Sequence, residues 1–144
     1  MLASTLRIKE AFEAKKLKGV DVREADDGSG WVYVTFGGDN ATAIRVVFIS
    51  PDTEDDEILQ LYVPPFCKSI PEDKLLDVYT IINDCNLRYR FLKFSLDEDN
   101  EVRATWDVLL EHTRDVGELA YEMLYRAVNI VDDVYPSFMK LIWG

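Results

Sequence analysis

Hydrophobic and polar positions change period several times along the chain, and each change marks an element. Leu2, Leu6, Ile8, Ala11, Phe12 and Leu17 fall at helical spacings. Good helix formers fill residues 3–17, and Gly19 suits the position just past the end, so a short amphipathic helix is predicted there. The period then drops to two. Val20 and Val22 alternate with polar residues, Asp26-Asp27-Gly28-Ser29-Gly30 supplies a turn, and Trp31 to Phe36 is dense in aromatic and β-branched residues. Gly37 to Asn40 turns the chain again. Ile44 to Ile49, apolar except for Arg45, predicts a central strand, with Ile58 to Val63 as its partner. The connections are too short for crossover helices, so this region predicts an antiparallel meander that Pro64-Pro65 ends.

The second half returns to helical spacing. Pro71 suits a first turn, and Leu75, Val78, Tyr79, Ile82 and Cys85 recur at three and four residues. Phe91 to Leu96 and Val102 to Val108 predict a hairpin. Val102, Ala104, Trp106 and Val108 share one face, and Glu101, Arg103, Thr105 and Asp107 the other, so one face is buried and one solvated. The last helix is the longest. Asp115 and Glu118 have capping-box spacing, and Val116 to Val134 carries a wide apolar stripe. Pro136 is expected to break or kink it, with Phe138, Leu141, Ile142 and Trp143 continuing the apolar character. The order predicts an α+β fold: an antiparallel sheet packed with an N-terminal, a central and a long C-terminal helix. At 144 residues the simplest reading is one domain over residues 1–144. A chain of this size buries roughly 68–70% of its unfolded surface and needs no disulfide or metal to fold.

The strands carry a surplus of apolar groups. Trp31 and Tyr33 lie on one parity, Val32, Val34 and Phe36 on the other. Ile44, Val46 and Phe48 likewise oppose Val47 and Ile49. Strands apolar on both sides want cover on both. Helices or a partner chain can supply it, which makes Trp31, Tyr33, Val47 and Ile49 candidates for an interaction surface, with an isologous homodimer the commonest form.

Charge narrows the function classes. The net charge is −11, and residues 1–20 hold five bases against two acids, leaving −14 for the rest. Such a body repels phosphate backbones and disfavours nucleic-acid binding. No run approaches a membrane-spanning length, and the first ten residues lack the apolar core of a signal peptide. With two cysteines, Cys67 and Cys85, a reducing cytoplasm is the expected compartment.

Specific chemistry is sparse. Asn83 and Asn86, three apart near a helix end, read as a ligand contact or as amides satisfying loop carbonyls, the latter preferred. Asp97 to Glu101 invites a calcium reading, but the loop lacks the required Gly and terminal Glu, and a hairpin turn is preferred. Asp52 to Glu57 reads as a solvated acidic loop rather than a dock for a basic partner. His112, the single histidine, sits in a polar turn. Two cysteines and one histidine cannot build a four-ligand zinc site. Cys85 is expected in the core and Cys67 at the surface. No catalytic residues and no cofactor are predicted.

One stretch resembles a known family. A Pro-started helix ends in Ile82-Asn83-Asp84-Cys85-Asn86, and the aromatic segment Arg90-Phe91-Leu92-Lys93 follows. An acidic turn with Asp97 and Asp99 comes next, and the last helix runs into Asp132-Asp133-Val134-Tyr135-Pro136. This pattern resembles the YbjN family, labelled bacterial sensory transduction regulators. The resemblance implies a fold similar to type III secretion chaperones, which are small, acidic, cytosolic and usually dimeric. It implies no catalytic residues. The expectation is a non-enzymatic protein-interaction module with a regulatory role. A secretion-type chaperone for extended segments, and a small-ligand binding protein or enzyme, are the alternatives.

Overall fold

In the computed structural model, which describes residues 2–50, 58–110 and 115–143, helices and strands alternate much as the periodicity requires. Helix α1 (Ala3–Ala14) leads into β1 (Asp21–Glu24), β2 (Gly30–Phe36), β3 (Ile44–Ser50) and β4 (Ile58–Cys67). A 3-10 turn, Glu72–Lys74, opens α2 (Leu75–Arg88). Strands β5 (Lys93–Leu96) and β6 (Val102–Leu109) precede α3 (Val116–Trp143). The strands form one antiparallel sheet in the order β1-β2-β3-β4-β6-β5, so the mixed α+β class is as expected.

The three helices pack on one face of this sheet. Phe12 of α1 meets Phe48 of β3 edge-on, with ring centres 5.6 Å apart. On α3, Phe138 meets Phe66 and Phe94, and Tyr125 meets Phe36. The inner rows hold Val32, Phe48, Leu61 and Trp106, whose paired positions run across four strands, and all are buried. Helix α1 comes so close at Gly30 that a Cβ there would lie 2.1 Å from Thr5 Oγ1. Only glycine fits beneath the helix.

Several boundaries differ from the sequence expectation. Helix α1 stops at Ala14, before residue 17. Lys16 takes a left-handed φ of 57°, while its N–H donates to Glu13 O and that of Leu17 donates to Phe12 O, closing a Schellman end. Pro64-Pro65 does not end β4, which continues to Cys67. The β4–β6 register shifts between Val63 and Cys67, and β3 pairs only with Gln60 to Tyr62. The prolines therefore sit where no ladder needs their missing N–H. Cys67 is fully buried rather than exposed, and burial pushes its thiol up to about 11. Strand β5 begins at Lys93, leaving Phe91 and Leu92 outside it.

Pro136 does not break α3 either. The helix runs 28 residues with Pro136 inside. Proline leaves the carbonyl of Asp132, four residues back, without its helical donor. Asn40 supplies one: its side-chain amide donates to Asp132 O at 3.0 Å. The Asp132 carboxylate in turn accepts backbone N–H groups of Asp39, Asn40 and Ala41 at 3.1, 2.8 and 2.9 Å. These bonds clip the β2–β3 turn to α3. A Cβ on Gly38 would meet Asp132 Oδ1 at 2.2 Å, so the clip also requires that glycine. At the start of α3, Asp115 Oδ1 accepts the Glu118 N–H, one half of the expected capping box. The Glu118 side chain instead pairs with Lys15, at the C-cap of α1, at 2.9 Å.

Candidate functional site

With the helices on one face, the other face of the sheet carries no helix among the described residues. The register sets what it presents. Trp31 pairs with Ile49, and Tyr33 with Val47, in adjacent rungs. The next strand continues both rungs, Ile49 to Gln60 and Val47 to Tyr62. The four residues singled out from the sequence thus form one contiguous patch, which Tyr62 enlarges. Arg23, paired with Asp21 at 3.0 Å, lies over the Tyr33 ring at 5.1 Å and Arg103 over Tyr62 at 5.9 Å, so charged side chains border the patch. Val47 is buried by its neighbours, while the others are half-buried.

The two asparagines separate. Asn83 is exposed on α2. Asn86 turns to the sheet: its amide donates to Phe94 O at 3.0 Å, and its Oδ1 accepts the Phe94 N–H at 2.8 Å. It acts as a one-residue strand on the outer edge of β5, satisfying groups that would otherwise invite another chain. Lys93 Nζ completes the joint by donating to Asn86 O and Tyr89 O at the end of α2.

The acidic hairpin turn is organised by Asp97. Its Oδ1 accepts the N–H groups of Asp99 and Glu101 at 2.9 and 3.0 Å, and Asn100 takes a left-handed φ of 57°. The carboxylates of Asp97, Asp99 and Glu101 come within 4.8 Å of one another, so these are the residues that could hold a cation. The acidic loop 52–57 and His112 lie outside the described residues.

Sequence reasoning missed a third region. Strand β5 starts opposite Thr105, yet β6 runs on to Leu109, so Trp106 to Leu109 have no strand partner on that side among the described residues. Between this bare edge and α3 lies a groove of about 600 Å³, its walls including Phe91, Trp106, Val108, Leu109, Leu119 and Met123. At the Trp106 end it joins a second hollow of about 370 Å³ where Arg88, Arg90 and Arg126 converge. Arg126 is held by Glu122 at 2.9 Å and Arg88 by Asp133 at 3.8 Å. Arg90 is exposed and has no partner among the described residues.

Phe91 stands at the junction in an unusual conformation. Its φ is 70°, and the Leu92 N–H donates across it to Arg90 O at 2.8 Å. That is the strained, rare form of the three-residue γ-turn, costing about 1–3 kcal/mol for a bulky residue. The turn lays the Phe91 ring flat on Trp106, with centres 5.1 Å apart and planes 9° from parallel, while more than half of the side chain stays exposed. A left-handed phenylalanine leaves no signal in a sequence, which explains why this segment reads as strand.

Titration points to structural bonds. The three backbone N–H groups of the turn, those of Ala41 and Asn40 foremost, hold Asp132 below the usual carboxylate range. The Ser29 backbone does the same for Asp27. Partial burial raises Tyr89, whose hydroxyl donates to Asp133 and ties α2 to α3. Burial likewise raises Cys85. No helix among the described residues is long and apolar enough to cross a membrane.

These joints fall on the residues that carried the family resemblance: Asn86 on the β5 edge, Asp132 and Pro136 on the clip, Asp133 on α2. Among curated proteins none matches the chain. A family model does: YbjN, described as "Putative bacterial sensory transduction regulator", matches residues 6–139. Since that match spans nearly the whole chain, the protein belongs to the YbjN family.

Proposed function

We propose that this protein is a non-enzymatic regulator that works by protein contact, and that the helix-free sheet face pairs with a second copy of the chain. One observation carries the reading: Trp31 with Ile49 and Tyr33 with Val47 form adjacent rungs on a face that no helix among the described residues covers. Aromatic residues clustered on an open face are what interface centres are made of. Two-fold pairing lets one such patch serve both partners. The family's description as a regulator supports the class. A cytoplasmic location fits the reading.

The test is solution mass by light scattering over a dilution series, for the parent and for Ile49→Glu. The expected result is a dimer for the parent and a monomer for the variant, because burying a carboxylate at the apolar centre of the pair carries a desolvation penalty of several kcal/mol. A parent that stays monomeric at every concentration would overturn self-pairing.

A further inference from the structure

We infer that the groove beside β6 binds the free carboxyl end of an extended apolar peptide, added as a short antiparallel strand to the edge that β5 leaves open. The backbone supplies the first reason. Phe94 turns its N–H and C=O outward to Asn86, so its pair with Ala104 is the non-hydrogen-bonded kind. Alternation then directs the backbone groups of Thr105, Asp107 and Leu109 toward the β5 side. Thr105 faces Lys93 there, while Asp107 and Leu109 face the groove without a strand partner among the described residues. An extended chain can take up those donors and acceptors, and the apolar wall of Trp106, Leu119 and Met123 can receive its alternate side chains.

Direction and charge supply the second reason. A strand antiparallel to β6 runs from Leu109 toward Trp106, the same way as β5. It meets the chain at Phe91 and Leu92 just before β5 begins, so it must end there. That end is where Arg88, Arg90 and Arg126 converge. Glu122 and Asp133 offset two of these charges, and Arg90 remains unpaired among the described residues. Asp107 turns its side chain away, accepting from Gln60 Nε2 at 2.9 Å. A terminal carboxylate matches that cationic end. The strained turn at Phe91 completes the site, since it places an aromatic ring at the groove's head.

The experiment uses the full chain and a fluorescein-labelled peptide, Val-Thr-Val-Thr-Phe, as the free acid and as the C-terminal amide, followed by anisotropy. The free acid is expected to bind saturably and at least about tenfold more tightly than the amide. Arg90→Glu, at an exposed position with no partner among the described residues, should remove that preference. Methylating the peptide nitrogens that face β6 should abolish binding. Equal affinity for acid and amide, an unchanged Arg90→Glu variant, or full binding by the methylated peptide would each overturn the inference. So would absence of saturable binding by the parent. Light scattering of the same Arg90→Glu sample should match the parent, because self-pairing is assigned to the opposite face. The two readings can therefore fail separately.

Discussion

Replacing Phe91 by glycine and by alanine separates the strain at this turn from the contacts of its ring. Phe91 is 56% exposed, so a little under half of its side chain is buried. Full burial of a phenylalanine is worth about 1.5–3 kcal/mol, so truncation loses about 1 kcal/mol here. The stack on Trp106 adds about 0.5–1.5 kcal/mol. Phe91→Ala should therefore cost about 2 kcal/mol and keep the left-handed strain. Phe91→Gly loses the same contacts but relieves about 1–2 kcal/mol of that strain. The extra freedom of glycine in the unfolded chain returns about 0.5–1 kcal/mol of the gain. Glycine should then be more stable than alanine by about 0.5–1 kcal/mol, the reverse of the order in a strand. Urea unfolding followed by far-ultraviolet circular dichroism reads this as a midpoint about 0.3–0.5 M higher for Phe91→Gly than for Phe91→Ala, at equal slope. An alanine variant as stable as the glycine variant, or more so, would refute the γ-turn and with it the placement of the ring at the groove.

Two further predictions concern the clip on α3. Asp132 has its folded-state pKa depressed below the ordinary 3.8, so its contribution is present above that value and is lost as pH falls through the folded pKa. Asp132→Asn should lower the thermal midpoint at neutral pH and flatten its decline below about pH 4; a parallel shift at every pH would show that the carboxylate's charge is not what holds the turn. Pro136→Ala restores a helical donor for Asp132 O. An interior proline costs a helix about 3 kcal/mol, and the Asn40 bond that offsets part of this is worth about 1 kcal/mol. Urea unfolding should show a gain of about 1–2 kcal/mol, and a loss would mean that proline sets the geometry of the joint.

Local period was enough to read most of the elements. The stripe on α3, the dense apolar run of β2 and the alternation of β6 depend on neighbours a few residues away, and the sequence carries those directly. It also located the doubly apolar strands, because parity on a strand is fixed by the backbone. What it could not decide is which parity the helices take, since both faces of β2 and β3 offer large groups. Docking decided that, through the Gly30–Thr5 approach and the Phe12–Phe48 contact, and so left Trp31, Tyr33 and Ile49 half-buried around the buried Val47 on the opposite face. The continuations through Pro64-Pro65 and Pro136 were hidden for a related reason. Each proline is tolerated because of a partner remote in sequence, a register shift against β6 in one case and Asn40 in the other. The groove lies furthest from the sequence. It exists because β5 starts opposite Thr105, four residues short of the end of β6 at Leu109, and because Phe91 adopts a backbone conformation that its side chain resists. Both are set by the closing of the tertiary fold rather than by local preference.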